Sequence, residues 1–141
     1  MKVRKANAIW TGDLKSGNGE VQFGENQTKM KYSFASRFEE GDGTNPEELI
    51  GAALSGCHAM ALAHALSQKG YQPVEVDTTA AVHLDKNDQG FYIPKILLSV
   101  KANIKGIKEE EFHTIAEEVS KACPIAKALK AVEIHVESKL I

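Results

Sequence analysis

Residues 43–69 read GTNPEELIGAALSGCHAMALAHALSQK, and this stretch decides the fold. Asn45 is a good N-cap, Pro46 suits the first helical position, and Glu48 completes a capping-box pattern. Gly70 can terminate the helix and Pro73 blocks a restart. The expected helix spans some 24 residues, roughly 36 Å at 1.5 Å per residue. From Leu49 to Gln68 it carries no Asp, Glu, Lys or Arg. Its middle is apolar or small on every side, which predicts burial all round. Gly51, Ala52, Ala53, Ser55, Gly56 and Ala59 would let another backbone approach closely. Such a run also raises the question of a membrane span. Its Ala, Gly and Ser content, with His58, His64 and Gln68, makes a poor span, so a core helix is expected and no membrane partner.

Outward from this helix the pattern changes period. Before it, Ala6, Ala8 and Trp10 alternate, Ser16-Gly17-Asn18-Gly19 is a plausible hairpin turn, and Val21 with Phe23 alternates again. Met30, Tyr32 and Phe34 predict a third strand. After it, Val74, Val76, Thr78, Ala80, Val82 and Leu84 form one strand face. A turn from Asp85 to Gly90 leads to a return strand with Ile96, Leu98, Val100, Ala102 and Ile104 inward. Phe112, Ile115, Ala116 and Val119 mark a second helix. Pro124 breaks it and starts a short helix to about Lys130. Val132, Ile134 and Val136 close with a strand. The fold class is α+β, in the order βββ-α-ββ-α-α-β, and 141 residues suit a single domain over 1–141.

A fully buried helix of about 36 Å is long for a chain whose radius of gyration should be ~14 Å. Two such helices packed together in a homodimer would resolve this. The charge balance, −2 at pH 7 with only Arg4 and Arg37 among 17 basic residues as arginine, excludes a nucleic-acid partner. The N-terminus MKVRKANAIW lacks the apolar core of a signal peptide, so a cytoplasmic location is expected. There, cysteines are more often reduced and reactive than locked in a permanent disulfide.

The chain has two cysteines, Cys57 inside the long helix and Cys123 directly before Pro124. An ordinary thiol is only ~3% thiolate at pH 7, and burial lowers that fraction. Cys57 lies about three turns into its helix, beyond the reach of the helix dipole. A reactive Cys57 therefore needs a cation from elsewhere, and Arg37 in SFASRFEE is the best candidate. Moving a thiol from pKa 8.5 to about 6 represents about 3.4 kcal/mol and raises the thiolate only ~30-fold. A fast reaction would also need stabilisation of the leaving oxygen. Glu47 could orient Arg37, but it sits ten residues, roughly 15 Å, from Cys57 on one helix. Both could serve one site only if an antiparallel partner helix brought Glu47 to the other chain's Cys57. Cys123, at the expected N-cap of the last short helix, suits attack on an oxidised Cys57. The competing reading is two inert core cysteines, with Arg37 paired to Glu39 or Glu40 and Glu47 and Glu48 acting as helix-start charges. His58 and His64 lie on different helix faces and make no metal pattern with Cys57. His83, His113 and His135 are expected at the surface.

The SRF segment before a Gly-rich loop, the GTNPEELIGAA block with a cysteine nine residues after Glu48, DTTA at 77–80, LDK at 84–86 and the Cys123-Pro124 pair resemble the OsmC family, within the OsmC/Ohr superfamily. Ser55-Gly56 and His58 depart from that pattern, and bear on the pocket lining. The resemblance implies an intertwined α+β homodimer with two sites at the subunit interface. It implies a thiol-dependent peroxidase that prefers organic hydroperoxides to hydrogen peroxide. Carried over, Cys57 is the peroxidatic thiol, Cys123 the resolving thiol that forms a disulfide with it, Arg37 the activating cation and Glu47 its positioner. No metal, haem or flavin cofactor is implied, and the reductant would be a dithiol, such as a lipoylated protein. The alternative is a redox sensor or binding protein switched by the same disulfide without sustained turnover.

Overall fold

The computed structural model describes residues 1–141 apart from Gln27 and the side chain of Val74. The inward placement of Val74 expected from its strand therefore lies outside the described residues. Two compact units, Met1–Leu49 and Ile50–Ile141, divide the chain.

In the first unit, β1 (Ala6–Thr11), β2 (Asn18–Phe23) and β3 (Thr28–Tyr32) form an antiparallel meander in that order. The β1–β2 turn lies earlier than the expected Ser16–Gly19. Asp13 builds it, its Oδ1 accepting from the backbone N–H groups of Lys15 and Ser16, each at 2.9 Å. Gly19 instead sits inside β2, opposite both Trp10 and Tyr32. Those two rings lie 5.3 Å apart. A Cβ at Gly19 would stand 2.3 Å from the Tyr32 ring, so packing demands the missing side chain.

β3 ends at Tyr32, and Phe34, expected on that strand, opens helix α1 (Phe34–Phe38). Apolar alternation over three residues was outweighed by capping chemistry. The Ser33 side chain accepts from Ser36 N–H, and Ser36 Oγ accepts from Ser33 N–H. Ser36 Oγ also donates to Thr44 O at 2.7 Å and Asn45 Nδ2 to Ser36 O at 3.0 Å, tying α1 to the segment that enters the long helix.

That helix, α2, runs Pro46–Gln68. Asn45 caps it as expected, Oδ1 accepting from Glu48 N–H at 2.8 Å. The capping box is only half made, because the Glu48 carboxylate accepts from Thr44 Oγ1 instead. At the other end Tyr71 N–H bonds Leu66 O and Gly70 N–H bonds Ser67 O, with Gly70 at φ +87°. This is the Schellman closure that glycine makes possible.

In the second unit, β4 (Pro73–Asn87) and β5 (Gly90–Ile104) pair as a long antiparallel hairpin. Its turn is tighter than expected, with Asn87 paired to Gly90. Helix α3 (Glu109–Ala122) and helix α4 (Pro124–Ala128) lead to β6 (Glu133–Leu140), which joins β5 in parallel. The sheet order is β4-β5-β6. Leu62 and Leu66 of α2 pack with Val100, Ala102 and Ile104 of β5 and with Phe112, Ile115, Ala116 and Val119 of α3. Leu54 packs with Ile96, Leu98, Cys123 and Ala126. Each fully buried leucine contributes about 1.5–3 kcal/mol of transfer free energy.

The helix is not buried all round within this chain. Leu54, His58, Leu62 and Leu66 are fully buried. Ala52, Ala53, Gly56, Met60 and His64 are exposed. One sheet and one helix can cover only one side of α2, and by length and composition alone α2 could cross a membrane. The glycines divide accordingly. A Cβ at Gly51 would meet Val82 Cγ2 at 3.3 Å and Ala80 O at 3.4 Å, whereas at Gly56 it would meet open space.

Candidate active site

The first unit positions one charged pair. α1 carries Arg37 in its last turn and the N-terminus of α2 carries Glu47 in its first. The Ser36–Thr44 and Ser36–Asn45 bonds fix the intervening loop, so the two side chains meet as a fork. Arg37 Nε donates to Glu47 Oε2 at 3.2 Å and Nη2 to Oε1 at 2.7 Å. Glu47 is buried, while about a third of the Arg37 side chain remains exposed. The guanidinium also lies 5.0 Å from the Phe38 ring centroid. This is the bidentate, partly desolvated geometry in which arginine is not replaceable by lysine. Among the described residues the ion pair of Arg37 is with Glu47, and none is with Glu39 or Glu40, the other expected partners.

The second unit positions the thiols. Both cysteines are free, Cys123 buried and Cys57 half-buried, and both belong to one apolar cluster with Leu54, Ile96, Leu98 and Ala126. Cys123 is the C-cap of α3 and the N-cap of α4, as its position before Pro124 predicted. Its Sγ accepts from Ala126 N–H at 3.3 Å. Burial pushes the Cys57 thiol above its ordinary pKa, and a hydrogen bond with Cys123 pushes it further the same way. The Ile125 N–H, also directed at the Cys57 sulfur, pulls it down. The net direction is upward, so burial outweighs the lowering by the Ile125 N–H. Cys57 of α2 thus packs in the same apolar cluster as Cys123 and the opening turn of α4.

His58, next to Cys57, is fully buried. Its Nε2 lies 3.0 Å from Ala116 O of α3, and that contact assigns the proton to Nε2. Nδ1 is buried without a partner. Burial holds its pKa below the usual imidazole value, so the ring is neutral. Sequence reasoning placed His58 on α2 but gave it no function. Position i+1 to a cysteine carries no periodic signal of its own. His83, expected at the surface, is half-buried with Nε2 enclosed, next to the register shift between His83 and Asp85. No group of three or more His, Cys, Asp or Glu side chains among the described residues could hold a metal ion.

Comparison with known proteins follows the same outline. The family model for OsmC-like proteins matches residues 39–139. The chain is 43% identical over 138 residues to peroxiredoxin OsmC of Escherichia coli strain K12, covering 97% of this chain and 96% of that protein. It is 35% identical over 97 residues to organic hydroperoxide resistance protein-like 2 of Staphylococcus saprophyticus, covering 67% and 66%. Among solved structures, an OsmC-like protein from Mycoplasma pneumoniae superposes with a TM-score of 0.78 at 17% identity, covering 99% of this chain and 98% of that one. The organic hydroperoxide resistance protein OhrB of Bacillus subtilis gives 0.71 at 22% identity, covering 96% and 98%. At those identities the structures speak to the fold alone. The family match over most of the chain and the 43% identity along nearly all of it establish that this protein belongs to the OsmC-like family.

Proposed function

We propose that this chain is a cysteine-based peroxidase that reduces hydroperoxides, organic ones in preference to hydrogen peroxide, to alcohols. The observation that carries the reading is the presence of two free thiols in one apolar cluster, with Cys123 capping α4 beside it. The names of its relatives, a peroxiredoxin and an organic hydroperoxide resistance protein, support it. Cys57 thiolate attacks one peroxide oxygen. The S–O bond forms as the O–O bond breaks, the alkoxide takes a proton and leaves as alcohol, and the sulfur, oxidised by two electrons, becomes a sulfenic acid. Cys123 attacks that sulfur, expelling water and forming the Cys57–Cys123 disulfide. An external dithiol, such as a lipoylated protein, reduces the disulfide by exchange and is itself oxidised. Apolar neighbours such as Leu54 favour alkyl peroxides. The chemistry calls for no metal, haem or flavin.

The cation that Cys57 lacks comes, on this reading, from a second copy. Ten residues of α2, roughly 15 Å, separate Glu47 from Cys57. The face formed by Ala52, Ala53, Gly56, Met60 and His64 is open, and Met60 is 78% exposed. Small residues at that spacing admit a second α2 closely. An antiparallel homodimer across this face would bring the Arg37–Glu47 fork of one copy to Cys57 of the other, stabilise the thiolate and polarise the peroxide. The site is then completed by the partner.

The chemistry is tested by adding one equivalent of cumene hydroperoxide and mapping the cysteines by peptide mass spectrometry. The native chain should yield the Cys57–Cys123 disulfide. A Cys123→Ala chain should yield a Cys57 sulfenic acid that dimedone traps. Cys57 left reduced in both would overturn the assignment.

A further inference from the structure

We infer that His58 is a positioning residue for the second half of the cycle: it holds α3, and through it Cys123, in register with Cys57 so that the sulfenic acid condenses quickly to the disulfide. The inference rests on the Cys57–Cys123 reading above. Three observations carry it. His58 follows Cys57 directly, so any restraint on its ring is a restraint on the turn of α2 that bears the thiol. Its Nε2–H donates to Ala116 O at 3.0 Å, deep in the interior. Ala116 and Cys123 are seven residues apart on α3 and its cap, hence on one face of that helix and about 10 Å apart along it. α2 thus meets α3 and its cap at two places, through the His58–Ala116 hydrogen bond and through the apolar cluster that holds both cysteines.

The geometry of sulfur chemistry explains why a second join matters. Thiols in contact are separated by well over 3 Å, while a disulfide requires about 2.05 Å and a Cβ–S–S–Cβ dihedral near ±90°. Condensation therefore needs the helices to approach without sliding. A hydrogen bond is directional, preferring a donor angle above about 150° and weakening steeply below about 120°. It therefore resists sliding in a way that non-directional apolar packing does not.

The histidine is also an expensive way to fill this space. Nδ1 is enclosed with no partner, and buried polar atoms without partners are uncommon in folded proteins. An apolar ring of similar volume would fill the core without that penalty. A residue that costs local stability at the position beside the Cys57 thiol points to a role beyond packing.

The test uses the full-length protein with His58→Phe and His58→Met, which keep bulk but not the donor, and His58→Gln, whose amide nitrogen can reach the same carbonyl. Sulfenic acid formation on Cys57 is followed by dimedone trapping, and condensation by rapid quench with alkylation and mass spectrometry. The equilibrium of the Cys57–Cys123 couple is read in dithiothreitol redox buffers. His58→Phe and His58→Met should slow condensation at least tenfold, leave sulfenic acid formation within twofold, and melt no lower than the native protein at pH 7. His58→Gln should restore condensation to within threefold. Condensation at the native rate in a folded Phe or Met variant would overturn the inference. So would an equal loss in both steps, or no rescue by Gln. Absence of sulfenic acid in the native chain would instead refute the underlying peroxidase reading.

Discussion

Replacing Glu47 by Gln tests the Arg37 fork with the least change of shape. The amide keeps one oxygen that can accept from Arg37 but presents an NH2 group where the second oxygen stood. One of the two bonds, at 3.2 and 2.7 Å, is lost, and the other loses its charge. Hydrogen bonds to charged groups contribute about 1.5–3 kcal/mol. A third of the Arg37 side chain is exposed, so solvent screens part of this. A loss of about 1–2 kcal/mol is the reasonable expectation, equivalent to a Tm lower by roughly 3–8 °C for a chain of this size. The catalytic effect should be separable. On the two-copy reading, an arginine held by one neutral bond aims its donors less firmly at the developing oxyanion, which should cost about 10- to 100-fold in kcat/KM, or ~1.4–2.7 kcal/mol of transition-state stabilisation. Thermal melts and steady-state kinetics with cumene hydroperoxide measure the two. A lower Tm with kcat/KM within twofold of native would make the pair a structural clamp and remove it from the mechanism.

Three further expectations follow from the geometry. Cys123→Ala removes a neighbour that raises the Cys57 thiol, so the midpoint of Cys57 alkylation by iodoacetamide should move to lower pH, and an upward move would contradict the described thiol contact. His58 has a depressed folded pKa, so it contributes stability that is complete above the ordinary imidazole pKa of about 6.5 and is lost as pH falls through the folded value. Melts below pH 6.5 should therefore fall more steeply for the native protein than for His58→Phe, and parallel curves would refute a buried neutral His58. Met60→Glu places a charge on the open face of α2, so light scattering should show a mass near 31 kDa, twice 15.3 kDa, for the native chain and a monomer for the variant. A native monomer at micromolar concentration would contradict the two-copy site.

Much of the second unit was legible because its patterns are long. Five alternating positions from Ile96 to Ile104 leave no ambiguity about which face of β5 is inward, and Cys123-Pro124 announces its own helix cap. The Asn45-Pro46 start and Gly70 stop of α2 were equally plain, since each rests on a residue with one strong backbone preference. The first unit was harder. Its turn depended on Asp13 bonding its own neighbours, and the fate of Phe34 depended on a reciprocal pair of serines, both local competitions that period-two reading ignores. Burial of α2 was misjudged because composition reports that a helix is apolar and cannot report how much of the cover a single chain supplies. For the site, chemistry suggested Glu47 as a partner for Arg37 beside Glu39 and Glu40, and the family resemblance suggested Cys57 with Cys123, before any geometry was known. The enclosed ring of His58 could not be paired in this way, because its partner is a backbone carbonyl 58 residues away.

The most direct test of the peroxidase reading is steady-state consumption of cumene hydroperoxide with dihydrolipoamide as reductant, run beside hydrogen peroxide. The native protein should turn over many times, faster with the organic peroxide. Cys57→Ser should abolish turnover, and Cys123→Ser should leave one stoichiometric reduction without efficient cycling. Native-level turnover in Cys57→Ser would contradict the assignment of the reacting sulfur. Stoichiometric oxidation of the native chain without cycling would contradict its reading as a dihydrolipoamide-driven peroxidase.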